Sequence, residues 1–318
     1  MIKYIAFVIN TNNMKDLLIQ LQHICNELKD ESENAIIKKY GQNAKRYTVA
    51  LIILGTGSLF ILIIVQFWTN IVDIVLPKNE SRSRHVLIMT EYFIDQEKYF
   101  YLIVLHVHTA IWIGAFIIVS TGSMLIAYIQ YMCGLFRISS YRFERAMGFN
   151  MLRNITCKNE NLIFKGVICA VDIHRQAMRL SELIVCKFET MLFCLITVGV
   201  TCLSLNLFRM FQVASSGENI KEILLPFIFS VCSVLYMFIA NYIGQDIINY
   251  NNRIYIAAYN VQWYMAPLHV QKLILFVLQR SAKEFSLGVG GLFIGSLECF
   301  ATLVKASVSY FTFIYSAQ

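Results

Sequence analysis

Three prolines in 318 residues leave little to interrupt a helix, so the helices should be long and mostly unbroken. Charge is scarce too: Asp, Glu, Lys and Arg make up 15% of the chain, against the ~25% usual in soluble domains. That scarcity, with 57% hydrophobic residues and a mean hydropathy of +0.58, excludes a soluble core and describes an integral membrane protein. The nine cysteines never fall in a C-x-x-C spacing, which argues against a zinc site or a redox pair. The six histidines share no metal spacing, and His106 and His108, two apart on a helix, point in different directions. A P-loop, a G-x-S-x-G elbow and a dinucleotide glycine motif in a strand–helix setting are all missing, so an enzyme is not expected, nor a cofactor. The net charge of +7 is no nucleic-acid signal, because the basic residues sit in segments between apolar runs. Residues 1–10 hold an apolar core too short to span, without a small-residue cleavage site, so a signal peptide is not expected.

What is present is a series of apolar runs. Residues 48–68, 99–136, 190–208, 223–245 and 296–318 are each about as long as a bilayer-crossing helix or longer. Between them lie polar segments. Residues 13–46 are helical in period, with Leu17, Leu18, Leu21, Ile24 and Leu28 on one face. Residues 137–187 are strongly basic. Pro226 stands near the start of the fourth run, where a helix tolerates proline. Residues 246–285 should be helical outside the membrane, and Gly288, Gly290 and Gly291 then break the chain. Basic residues split 20 to 6 between the two alternating sets of connecting segments. By the positive-inside rule this places the N-terminus in the cytosol and Gln318 outside. The sequon at Asn79 is then extracellular and available for glycosylation; the one at Asn154 is cytosolic and unused.

The last run, 296–318, is unusual for a membrane helix because it carries Glu298 and Lys305. Ala301, Thr302, Ala306, Ser307, Ser309 and Thr312 allow close helix approach, and aromatic residues crowd the final turns. Such a helix suits an inner wall facing other helices or water; it equally suits a packing helix whose Lys305 snorkels to the interface.

Two stretches carry a family resemblance, with three weaker likenesses beside them. Residues 244–264 (GQDIINYNNRIYIAAYNVQWY) and the tail SLECFATLVKASVSYFTF resemble an insect odorant receptor, of the kind found in ants, bees and wasps. Weaker likenesses are Glu91-Tyr92-Phe93-Ile94-Asp95, the His174-Arg175 pair, and Ala257, Tyr259, Trp263 and Tyr264 before the final helix. The resemblance implies an all-α, multi-pass transmembrane helical bundle with a cytosolic helical anchor region. Family members have seven spans; the five here match their third to seventh, and residues 1–12 look like the end of the second. The first span and most of the second are expected to be missing from this chain, and Asn251 stands where relatives usually have serine.

The same resemblance implies a subunit of an odorant-gated cation channel in the plasma membrane. It would act with a shared co-receptor in a heterotetramer, against membrane lipid, without nucleic acid. Residues 1–47 would be a cytosolic segment, 48–245 the ligand-binding bundle, 246–285 the anchor and 286–318 the pore-lining helix. Matched residue by residue, the pore and gate fall at Lys305, Ser309, Phe313, Ser316 and Ala317. The anchor falls at Tyr259, Trp263, Tyr264 and Glu298. A small volatile ligand needs a concave apolar pocket with aromatic walls. The outer halves of the spans offer Phe60, Ile64 and Trp68, then Tyr101, Leu105, His108 and Trp112, then Phe229 and Tyr236. Alternatives are a G-protein-coupled-type chemoreceptor, whose orientation would oppose the charge count, and a truncated, non-functional receptor form.

Overall fold

The computed structural model describes residues 11–75, 95, 98–148, 157–216, 220–282, 288–289 and 293–317. The elements are α1 (Thr11–Glu27), α2 (Glu31–Val75), α3 (Phe100–Ala146), α4 (Cys157–Ser216), α5 (Ile220–Asn260), a 3-10 turn (Trp263–Met265), α6 (Leu268–Ser281), a hairpin of β1 (Gly288–Val289) and β2 (Phe293–Ile294), and α7 (Leu297–Ser316). In the hairpin Gly288 pairs with Ile294 and Val289 with Phe293, antiparallel. Among the described residues, α2, α3, α4, α5 and α7 are long and apolar enough to cross a membrane.

The helices run much further than a bilayer requires. At 1.5 Å per residue the 60 residues of α4 reach about 90 Å, against a hydrocarbon core of about 30 Å. Most of α4 therefore stands outside the membrane, and with it the basic segment that follows the second apolar run. The best-packed part of the molecule is there. One core joins Met14, Leu17, Leu21, Ile24 and Leu28 of α1 to Tyr128–Ile138 of α3 and to Ile173, Ala177, Leu180 and Phe188 of α4. A second joins Phe143 of α3, Ile163 and Val167 of α4, Ile254 and Ala258 of α5, and Val270 and Ile274 of α6. Within the apolar runs few side chains are buried, as expected where lipid replaces protein as the apolar surrounding.

Local chemistry explains the breaks. The chain turns at 28–30 because Asp30 caps α2: its Oδ1 accepts the Ser32 N–H at 2.9 Å, and Glu31 and Glu33 favour the positive helix start. Glu33 is buried and takes a bidentate pair from Arg142 of α3, Nε to Oε1 at 2.6 Å and Nη2 to Oε2 at 2.8 Å. Arg145 pairs with Asp30 beside it. Ser296 caps α7 by accepting the Cys299 N–H at 3.1 Å.

Two expectations are corrected. Leu18 does not join the buried face of α1 but is exposed, because Leu17, Leu21, Ile24 and Leu28 already fill the stripe at spacings of four, three and four. Pro226 is not in a first turn: α5 starts at Ile220, so the proline is a buried interior residue that removes one helical hydrogen bond. The boundaries expected at 47 and 245 lie inside the continuous helices α2 and α5.

Candidate functional site

Three regions hold the residues singled out by sequence: the bundle of α2, α3 and α5, the last helix, and the segment from Tyr259 to Tyr264. In the bundle, α3 packs against α2, α4 and α5, while α2 barely touches α5. This layout brings Phe60 of α2 and Trp112 of α3 together, edge to face, with ring centroids 6.2 Å apart. Ile64, Tyr101 and Leu105 are exposed on the same pair of helices, and His108 is half-buried. Phe229 and Tyr236 are half-buried on α5. The side chain of Trp68 and the sequons at Asn79 and Asn154 lie outside the described residues, as do residues 91–94.

The last helix shows two faces. One packs on α4: Leu303 and Ser307 are buried, and the Ser204 hydroxyl donates to the Ser307 carbonyl at 3.0 Å. Higher up, Phe211 of α4 meets Phe311 at 5.2 Å and Tyr315 at 5.7 Å. Near the base, Phe300 meets Phe238 of α5 edge to face at 5.5 Å. The other face carries Lys305, Ser309, Phe313 and Ser316, all exposed in the single chain, with Phe313 at 69% and Ala317 exposed just past the helix end. The sequence pattern of small residues mixes both faces, since Ser307 is buried while Ser309 is not.

The base of α7 is tied to α5. Gln245 accepts the Leu297 N–H at 3.3 Å, and a methyl on Gly244 would lie 2.5 Å from the Gly295 carbonyl oxygen. Just beyond, the anchor residues leave a large apolar surface: Tyr259 and Tyr264 are each 63% exposed, Tyr255 stacks on Tyr259 at 6.3 Å, and Leu268 and Phe276 are exposed on α6. Trp263 is half-buried, and Glu298 is exposed in the first turn of α7.

A half-open cavity of about 400 Å³ lies between α4 and α7, with Phe293 of β2 in its lining. None of the residues expected to form a pocket lines it. Its walls come from helices about a hundred residues apart, so spacing within either helix carries no sign of it. Among the described residues no three His, Cys, Asp or Glu side chains gather as a metal site.

Residues 1–308 match the sequence model of the family described as 7tm Odorant receptor. The chain is similar to putative odorant receptor 92a of Drosophila melanogaster, 31% identical over 80 residues; the matched stretch is 25% of this chain and spans only 19% of the fly protein. Its fold is similar to that of the insect olfactory receptor OR5 from Machilis hrabei in complex with eugenol, with a TM-score of 0.70 at 15% identity, covering 100% of this chain and 78% of that one. The same receptor in a second structure gives 0.68, covering 99% and 77%.

Proposed function

The chain belongs to the 7tm odorant receptor family, and on that premise we propose that it is one subunit of an odorant-gated cation channel. It is a multi-pass membrane protein of helices. The observation that carries the channel reading is the split character of α7. One face docks on α4, and the opposite face, Lys305, Ser309, Phe313 and Ser316, has an unbroken set of exposed positions. A helix with such a free face needs further subunits to cover it or a water path to wet it.

In this reading α7 lines a pore around a four-fold axis shared with co-receptor copies. Ser309 keeps the wall thin, and Phe313 closes the path by excluding water. Lys305 would repel a permeant cation unless a neighbouring subunit supplies a carboxylate. The exposed apolar surface at Tyr259, Tyr264, Leu268 and Phe276 is the anchor through which subunits meet, since patches of this kind mark protein contacts. The ligand is a small, mostly apolar volatile seated against the Phe60–Trp112 pair, with Ile64, Tyr101, Leu105, His108, Phe229 and Tyr236 as walls. The relative OR5 was solved with eugenol, which is of that chemical kind. The N-terminus faces the cytosol, the C-terminus and Asn79 face outward, and the protein resides in the plasma membrane.

Co-expression with a co-receptor in oocytes, followed by current recording against an odorant panel, tests the reading. Ligand-evoked cation currents that need both chains support it. A response that needs a G protein and no co-receptor contradicts it.

A further inference from the structure

The cavity between α4 and α7 has walls of one chemical character. Ile196, Val200, Leu205, Leu303, Ala306 and Ile314 make it apolar, and its volume of about 400 Å³ is within the range of small-molecule sites, about 300–1,000 Å³. Four hydroxyls interrupt that apolar lining: Thr197, Thr201, Ser204 and Thr302. Each has already given its proton to a backbone carbonyl. Thr197 donates to Phe193 at 3.1 Å, Thr201 to Thr197 at 2.9 Å, and Thr302 to Glu298 at 3.0 Å. Ser204 donates to Val200 at 2.8 Å or to Ser307 at 3.0 Å. A hydroxyl has one proton and two lone pairs, so what these four offer an occupant is acceptor capacity alone. Tyr310, also in the lining, is 58% exposed, and its phenol can donate as well as accept.

We propose that the α4–α7 cavity is a second ligand site, separate from the Phe60–Trp112 region, that binds small apolar molecules carrying one O–H donor, such as aromatic or short aliphatic alcohols. The chemistry selects for the donor. An alcohol places its carbon body against the isoleucine, valine and leucine wall and its O–H on Thr201 or Thr302. The corresponding methyl ether has the same body and no proton to give. An occupant touches α4 and α7 at once, beside the Ser204–Ser307 bond that joins them. It is therefore placed to act on the seating of α7. The inference rests on the cavity and its hydroxyls and is independent of whether α7 lines a pore.

The test is photolabelling of the full chain, co-expressed with co-receptor and purified in detergent, with a diazirine derivative of benzyl alcohol. Labelled peptides are mapped by mass spectrometry, so the readout is binding and not current. Labelling is expected within 196–205 and 302–314, competed by benzyl alcohol and only weakly by benzyl methyl ether. The paired replacement Thr201→Val and Thr302→Val, which keeps side-chain shape, should weaken competition by benzyl alcohol roughly fivefold and leave the ether unaffected. Ala306→Phe, which fills the cavity, should abolish labelling there; melting curves show whether either variant folds, and the valine pair carries the test if the phenylalanine does not. Equal competition by alcohol and ether would make the cavity a plain apolar slot, such as an acyl chain would fill, and overturn the proposal. Labelling confined to peptides around Phe60 and Trp112 would overturn it as well.

Discussion

At the scale of the residue, two buried groups outside the apolar runs make measurable demands. His174 of α4 lies edge to face with Phe136 at 5.4 Å, and neither ring nitrogen has a hydrogen-bond partner among the described residues. Burial, and then the charge of Arg280, lower its pKa from the ordinary value of 6.5 to about 4. The folded state thus refuses a proton that the unfolded chain accepts, and stability falls as pH falls from 6.5 toward 4. Between pH 6.5 and 5 the loss should be about 1.6 kcal/mol. Melting curves of purified protein across that range should show it, and His174→Gln should flatten the slope; an unchanged slope would mean the ring is protonated or solvated in the fold. Glu33 is the second group. Buried and held by both nitrogens of the Arg142 fork, it ties α2 to α3. Arg142→Met should cost about 3 kcal/mol in denaturant unfolding by leaving the carboxylate unpaired, and adding Glu33→Leu should recover most of that.

At the scale of the element, the channel proposal routes coupling through the link between α5 and α7. Gly244→Ala puts a methyl 2.5 Å from the Gly295 carbonyl, a backbone atom that cannot step aside without moving the base of α7. It should lower the melting temperature by several degrees and uncouple ligand binding from current, whereas Gly41→Ala, with nothing within 4 Å, should do neither. The five apolar runs and the helical character of residues 246–281 were legible because hydropathy and period report on one segment at a time. The length of α4 was less so, since Cys157–Lys187 is charged enough to look like a connection. Its stripe of Ile163, Val167, Ala170, Ile173, Ala177 and Leu180 nonetheless carried the period that keeps it helical. The hairpin left no signal, because two-residue strands are too short to show alternation. Of the residues expected to form the pocket, Phe60 and Trp112 do meet. The α4–α7 cavity was invisible because it depends on how two distant helices lie against each other, which no single segment encodes.

At the scale of the whole molecule, the two larger packed cores lie in the helix extensions, and the apolar runs hold smaller clusters around Ile126 and Leu203. The 20-to-6 split of basic residues predicts that epitope tags placed before Met1 and after Gln318 will differ on intact cells: only the C-terminal tag should label. The claim on which the rest depends is that the free face of α7 closes a conduction path. Resting leak in Phe313→Ala complexes, compared with Phe300→Ala, tests it most directly. Phe313 is 69% exposed on the free face, and Phe300 is packed against Phe238 near the base. If α7 lines the pore, Phe313→Ala removes the apolar plug and raises the leak while Phe300→Ala does not. Unchanged leak, ion selectivity and ligand response in Phe313→Ala complexes would show that α7 is a packing helix and contradict the channel reading.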